Sequence, residues 1–178
     1  MTMSLVISVS GSSGEDRKLT DEILLLAEQV GKAVAARNMV LLTGGKGGIM
    51  RAACKGAKEN GGATIGILPF SKDEANEYVD IVLPTNMGYA RNRLVVSMAD
   101  AVIAISGRWG TLNEISEALM QRKPLVLIKG SGGVVDKLID GEFLSENDCY
   151  VGVTSKAYTA VSQSLSLIKK KEENQRLI

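Results

Sequence analysis

The sequence predicts an α/β fold with a doubly wound, Rossmann-like, mostly parallel sheet, as a single domain over residues 1–178. Three observations carry this expectation. Short runs of Val, Ile and Leu recur without polar alternation, the pattern of strands buried on both faces of a parallel sheet. Stretches with apolar residues at helical spacing separate these runs, and strands alternating with helices imply right-handed βαβ units. A chain of 178 residues with 45% hydrophobic and 23% charged content suits one full core.

The expected strands are LVISV (5–9), MVLLT (39–43), ATIGIL (63–68), VDIVL (79–83), AVIAI (101–105) and PLVLI (124–128), with one more near Tyr150 to Val153. The first helix is expected over 20–37. Thr20 can cap it, Asp21 and Glu22 fill its first turn, and Ile23, Leu26, Ala27, Val30 and Val34 mark its inward face. Further helices are expected over 48–59, 88–99 and 110–122, and from about Ser155 onward. The end, KKKEENQRLI, reads as a solvated helix terminus.

Composition excludes several classes. Lys and Arg (21) nearly cancel Asp and Glu (20), so no diffuse basic field invites nucleic acid or an anionic membrane, and any anion binding must be local. Cys54 and Cys149 are far apart, without the spacing of a disulfide framework or a zinc site, which fits a reducing cytoplasm. The start, MTMSLVISVSG, lacks a basic leader, and no segment reaches the roughly 18 apolar residues of a membrane helix. A soluble cytoplasmic protein is expected. Histidine is absent, which rules out Ser-His and Cys-His dyads and imidazole-held metals, and no metal site is expected.

In such folds ligands bind beyond the carboxyl ends of the strands, near the point where strand order reverses. Three glycine-rich loops fall there: SGSSGEDR (10–17), TGGKGGIM (43–50) and SGRWGTLNE (106–114). Glycine lets the backbone approach a ligand closely, and N–H groups at a following helix N-terminus favour an anion such as phosphate. One such loop serves any tight turn; three at one edge point to an anionic or nucleotide-like ligand. The candidate binding residues are Gly11, Ser12, Ser13, Gly44, Gly45, Gly47, Gly48, Asn92, Gly107, Arg108, Gly110 and Thr111, with Lys46 as a further donor. No GxxxxGK[ST] string exists, and no acidic residue follows the second strand to hold a ribose, so ATP or NAD bound in the usual way is not expected.

GSSG at 11–14, TGGKGGIMRAACKGAKENGGATIGILP at 43–69, MGYARN at 87–92 and SGRWGTLNE at 106–114 together resemble the Lonely Guy superfamily, over about residues 4–130. That group includes nucleoside 5'-monophosphate phosphoribohydrolases, proteins mislabelled as lysine decarboxylases, and molybdenum cofactor carriers. The ARN and GTLNEI strings look closer to the carrier-like branch. The hydrolase signature is PGGxGTxxE, with an upstream arginine followed by lysine. Arg91 falls on that arginine, and Gly107, Gly110, Thr111 and Glu114 match the second motif. Ser106 stands for the proline, Arg108 for the second glycine and Asn92 for the lysine. Arg108 either adds a cation to the phosphate or fills its place, and Asn92 removes a positive charge.

The resemblance implies catalytic roles for Arg91 and Glu114 in hydrolysis of an N-glycosidic bond, or else a non-catalytic carrier of a molybdopterin-type ligand. It also implies a homodimer or higher homo-oligomer, with the helix after the second loop or the 88–122 region as interface. No cofactor is required by either role. A pyridoxal phosphate decarboxylase is not expected, since no Schiff-base lysine with a partner for the ring nitrogen can be recognised.

Simpler structural roles compete. Thr111 and Glu114 have the T-x-x-E spacing of a capping box. Arg91 shares a helix face with Leu94, Val95 and Met98, so it is expected to be buried, and a buried guanidinium requires a carboxylate such as Glu114 or a ligand anion. Arg93 projects elsewhere and is expected in solvent. Trp109 and Tyr89 either stack on a ring, fill the core or meet another subunit. Cys54 reads as a small core residue.

Overall fold

A computed structural model describes residues 4–14, 19–141, 144 and 150–176. Among them, β1 (Val6–Gly11), β2 (Val40–Thr43), β3 (Thr64–Leu68), β4 (Ile81–Pro84), β5 (Ala101–Ile105), β6 (Leu125–Ile128) and β7 (Val151–Thr154) form one sheet. Its order is β4-β3-β2-β1-β5-β6-β7, and every pairing is parallel. The helices are α1 (Asp21–Ala35), α2 (Ile49–Lys58), α3 (Asn92–Ser97), α4 (Trp109–Met120), α5 (Gly133–Asp140) and α6 (Ala157–Arg176). The doubly wound α/β expectation is met, strand for strand.

The sheet carries a core on each face. Ile7, Val9, Ile103, Ile105, Val126 and Ile128 pack with α1, α2 and α6, while Val102, Ala104, Leu125 and Leu127 pack with α4 and α5. Strand alternation therefore turns Ser8 and Ser10 of β1 away from the first core. Thr20 caps α1 by accepting from Ile23 N–H, with Asp21 and Glu22 in the first turn.

Two glycines let α1 and α2 touch backbone to backbone. A Cβ on Gly31 would lie 1.9 Å from Ala53 O, and one on Gly56 would lie 1.9 Å from Glu28 O. Lys55 Nζ pairs with Glu28 Oε2 at 2.9 Å along the edge of this contact.

Two expectations need correction. The helix expected over 88–99 is a 3-10 turn, Gly88–Arg91, followed by the short α3. The tighter turn changes the angular position of each residue, and the helix ends at Ser97, so Met98 is 53% exposed instead of facing inward. The glycine-rich segment 130–133 also starts a helix, α5, that the apolar pattern did not announce; its eight residues give too few turns for a clear period. Among the described residues no helix is long and apolar enough to cross a membrane.

Candidate functional site

Strands β2, β1 and β5 are neighbours, so the three glycine-rich loops that follow them emerge side by side. From β1 the chain builds β2, β3 and β4 outward, then crosses back to β5, which places the reversal of strand order between β1 and β5.

The first two loops interlock. Ile49 N–H donates to Ser12 O at 3.0 Å. A Cβ on Gly48, whose φ is 62°, would lie 2.3 Å from Ser12 O, so both the backbone angle and the packing demand glycine there. Gly45 N–H donates to the Thr43 hydroxyl at 3.0 Å. From the β3–β4 connection, Asn76 clamps the loop: its N–H and Nδ2 donate to Gly45 O, and Nδ2 also donates to Lys46 O. Lys46 Nζ pairs with Glu74 Oε2 at 2.8 Å.

The third loop is held from the other side. Ser106 and Gly107 have φ of 54° and 96°. Ser106 N–H donates to the Ser131 hydroxyl at 2.7 Å, and Val134 N–H to Gly107 O at 2.8 Å. The loop between β6 and α5 thus braces the turn that starts α4. This turn places Arg108 at the N-cap, with no side-chain capping bond. Thr111 and Glu114 therefore lie inside α4, and the capping-box role does not occur. The positive φ at Gly107 turns the chain into the helix earlier than the T-x-x-E spacing implies.

Glu114 instead meets Arg91. The two are buried, at 6% and 7% exposure, and Arg91 Nη1 donates to Glu114 Oε1 at 3.2 Å. The Ser10 hydroxyl, at the end of β1, donates to Glu114 Oε2. Arg91 Nε is buried without a hydrogen-bond partner. The guanidinium also lies against Gly44, where a Cβ would stand 2.5 Å from Nη2. Burial pushes the Glu114 carboxyl above its ordinary range, opposed by the charge of Arg91 and the Ser10 hydroxyl.

The other expected residues divide by position. Gly11 lets β1 approach α2, since its Cβ would lie 2.4 Å from Ile49 Cγ2. Ser12 is buried, Ser13 is half-buried, and Gly47 approaches Gly14. Arg108 and Gly110 are exposed, and a Cβ on Gly110 would meet nothing within 4 Å. Asn92 is buried, and its Nδ2 donates to Asn113 Oδ1 at 2.9 Å, so its side chain joins α3 to α4. Arg93 is exposed. Tyr89 and Trp109 are 82% and 79% exposed, so neither fills the core. Cys54 is buried with its thiol 3.5 Å from the Thr43 hydroxyl, as a core residue; Cys149 and the Glu15 to Arg17 end of the first loop lie outside the described residues.

Sequence reasoning missed Ser10, Glu74, Asn76 and Ser131. A serine at the end of an otherwise apolar strand was the available signal for Ser10. Asn76 and Glu74 sit between strands, where no period marks them.

The model of the SLOG cluster4 family matches residues 4–163. The molybdenum cofactor binding protein of Rippkaea orientalis is 32% identical, with 96% of this chain and 98% of that one covered at a TM-score of 0.79. The molybdenum cofactor carrier protein of Chlamydomonas reinhardtii is likewise 32% identical, with 93% and 99% covered at 0.80. The cytokinin riboside 5'-monophosphate phosphoribohydrolase of Mycobacterium tuberculosis is 31% identical over 117 residues, 60% of this chain and 63% of that protein. The chain therefore belongs to the SLOG cluster4 family, within the Lonely Guy-like superfamily.

Proposed function

We propose that the chain binds a nucleoside 5'-monophosphate at the three glycine loops and hydrolyses its N-glycosidic bond. Water adds at C1' of the ribose, and the base leaves with a proton, giving free base and ribose 5-phosphate. The buried Arg91–Glu114 pair beside the point of strand reversal carries this reading, because such a pair is costly to desolvate and its Arg91 Nε still lacks a partner. The N-termini of α2 and α4 open onto the same edge without side-chain caps, and helix N-termini favour an anion. The phosphate sits there, near Gly45 to Gly48 and Gly107 to Thr111, within reach of Ser12, Ser13 and Arg108. Glu114 stabilises positive charge developing on the ribose or orients the water, and Arg91 holds Glu114 and the ligand anion. The Mycobacterium relative, named for this reaction, supports the reading.

A second reading is a carrier of a molybdopterin-type cargo. Two observations favour it: the two solved relatives named for that ligand are covered almost end to end, and Asn92 is committed to Asn113 where the hydrolase motif has lysine. In either role a homodimer is supported by the exposed Met87, Tyr89, Met98, Trp109 and Met120, on or next to the elements that carry Arg91 and Glu114. Neither role calls for nucleic acid or a membrane, and both suit the cytoplasm.

Incubation of the protein with a panel of nucleoside monophosphates, read by chromatography of free base, decides the matter. The hydrolase releases base, and Glu114→Gln abolishes release while leaving ligand affinity nearly intact, since a transition-state contact governs turnover more than binding. A carrier releases none and yields a molybdopterin derivative on mass spectrometry of the purified protein. Neither base nor retained cargo would refute both readings.

A further inference from the structure

We propose that Ser10 is a positioning residue for Glu114, fixing the Oε2 edge of the carboxylate and with it the orientation and charge of the group. For turnover this rests on the hydrolase reading; for the carboxylate itself it does not.

Ser10 lies near the end of the central strand, paired on one side in register with Ala104 of β5, so its hydroxyl is mounted on sheet backbone and not on a loop. It is 2% exposed. Arg91 reaches Glu114 through a single hydrogen bond, Nη1 to Oε1 at 3.2 Å. One contact of that length leaves the carboxylate free to rotate about its last bond. The Ser10 hydroxyl supplies the second point, on the other oxygen, and two points set the plane of the group.

Among the described residues, Ser10 and Arg91 are the side chains whose hydrogen bonds and charge act on the Glu114 carboxyl. From β1 the side chain facing Glu114 is the uncharged Ser10; from the 3-10 turn it is Arg91, with Tyr89 exposed on the same turn. Glu74, from the β3–β4 connection, acts on Arg91 and pairs with Lys46. Without the Ser10 hydroxyl, Oε2 is a buried acceptor with no donor, and burial then favours the protonated acid more strongly. Strand β1 provides its own comparison: Ser8 lies on the same face two residues earlier, fully buried, with its hydroxyl unpartnered.

Protein labelled with carbon-13 at glutamate Cδ allows the Glu114 carboxyl to be followed by NMR against pH, with Glu114→Gln assigning the resonance. Ser10→Ala should raise the titration midpoint by about one pH unit or more, the size of one lost hydrogen bond to the charged form. Ser10→Cys, which retains a weaker donor, should fall between Ser10→Ala and the wild type, and Ser8→Ala should leave the midpoint in place. In turnover assays the acid limb of kcat should move up by the same interval with KM little changed. If Ser10→Ala, or Ser10→Cys should alanine not fold, titrates like the wild type, the proposal is wrong; equal shifts from Ser8→Ala and Ser10→Ala would also overturn it. The carboxyl signal is read with no substrate present. A shift seen together with absent base release would therefore sink the hydrolase reading and leave the role of Ser10 standing.

Discussion

Replacing Gly44 by alanine should pull the buried ion pair apart without touching either partner. Gly44 is not among the positive-φ glycines, so its backbone accepts an alanine. The added Cβ would lie 2.5 Å from Arg91 Nη2, 2.7 Å from Nη1 and 2.8 Å from Cζ. Ordinary contact begins near 3.4 Å, so the guanidinium must withdraw from Gly44 by roughly 0.9 Å, and a shift of that size along the bond axis would open the 3.2 Å contact with Glu114 to about 4 Å, past hydrogen-bonding range. Overpacking of this kind costs about 1–3 kcal/mol, and loss of a buried ion pair approaches 3–5 kcal/mol when one partner is removed outright. Alanine returns about 0.4–1 kcal/mol by restricting the unfolded chain. The net expectation is a loss of about 2–3 kcal/mol, which lowers Tm by about 5–10 °C in a chain of this size. On the proposed hydrolase reading, base release per folded molecule should fall on the order of 100-fold, since a displacement near 1 Å at a reacting group has that effect. Calorimetric melting beside the free-base assay measures both. A variant that melts within about 1 °C of the wild type and releases base normally would show that Arg91 does not depend on the space above Gly44.

Two further outcomes follow from the same geometry. Because burial raises the Glu114 carboxyl above its unfolded value, its contribution to stability is full below the ordinary glutamate range and is lost as pH rises through the raised value. Because Glu74, Glu77 and Asp80 are lowered and act with the opposite sign in both proteins, denaturant titrations should show the wild type losing stability relative to Glu114→Gln as pH rises through that range; identical pH profiles would contradict the direction given for Glu114. Gly110→Ala should stabilise the free protein by about 0.5–1 kcal/mol, because the glycine sits in α4 with open space around it. If the proposed anion site includes the α4 N-terminus, calorimetry with inorganic phosphate should then show weaker binding; unchanged affinity would remove that N-terminus from the proposed site.

The sheet was readable because buried parallel strands leave uninterrupted apolar runs, and LVISV, AVIAI and PLVLI could hardly be anything else. The meeting of Arg91 and Glu114 was readable for a different reason: a guanidinium on an apolar face needs an anion, and Glu114 was the acid in the neighbouring loop motif. What escaped depended on turn geometry. The capping box that Thr111 and Glu114 could have formed is absent because Ser106 and Gly107 put the N-cap at Arg108, three residues before that threonine, through positive φ angles that no spacing rule encodes. Ser131 and Asn76 act by holding backbone groups of distant loops, and such contacts leave no periodic trace. Ser10 lay in full view at a strand end, yet only the fold shows that its hydroxyl points at a carboxylate 104 positions away.

The contact of α1 with α2 through Gly31 and Gly56 has a mechanical consequence for the site. Where peptide oxygens stand 1.9 Å from the place a side chain would begin, no layer of side chains separates the two helices, and close-packed backbone leaves little room for one to slide or tilt against the other. On the proposed binding reading, the β2–α2 loop would be a preset jaw, with little ordering left to be done when a ligand arrives. The facing jaw at the start of α4 carries the open space at Gly110 and the exposed Arg108 and Trp109. If the loops hold the proposed ligand, changes in what they accept belong to the α4 side, where a substitution alters shape without disturbing the contact of α1 with α2.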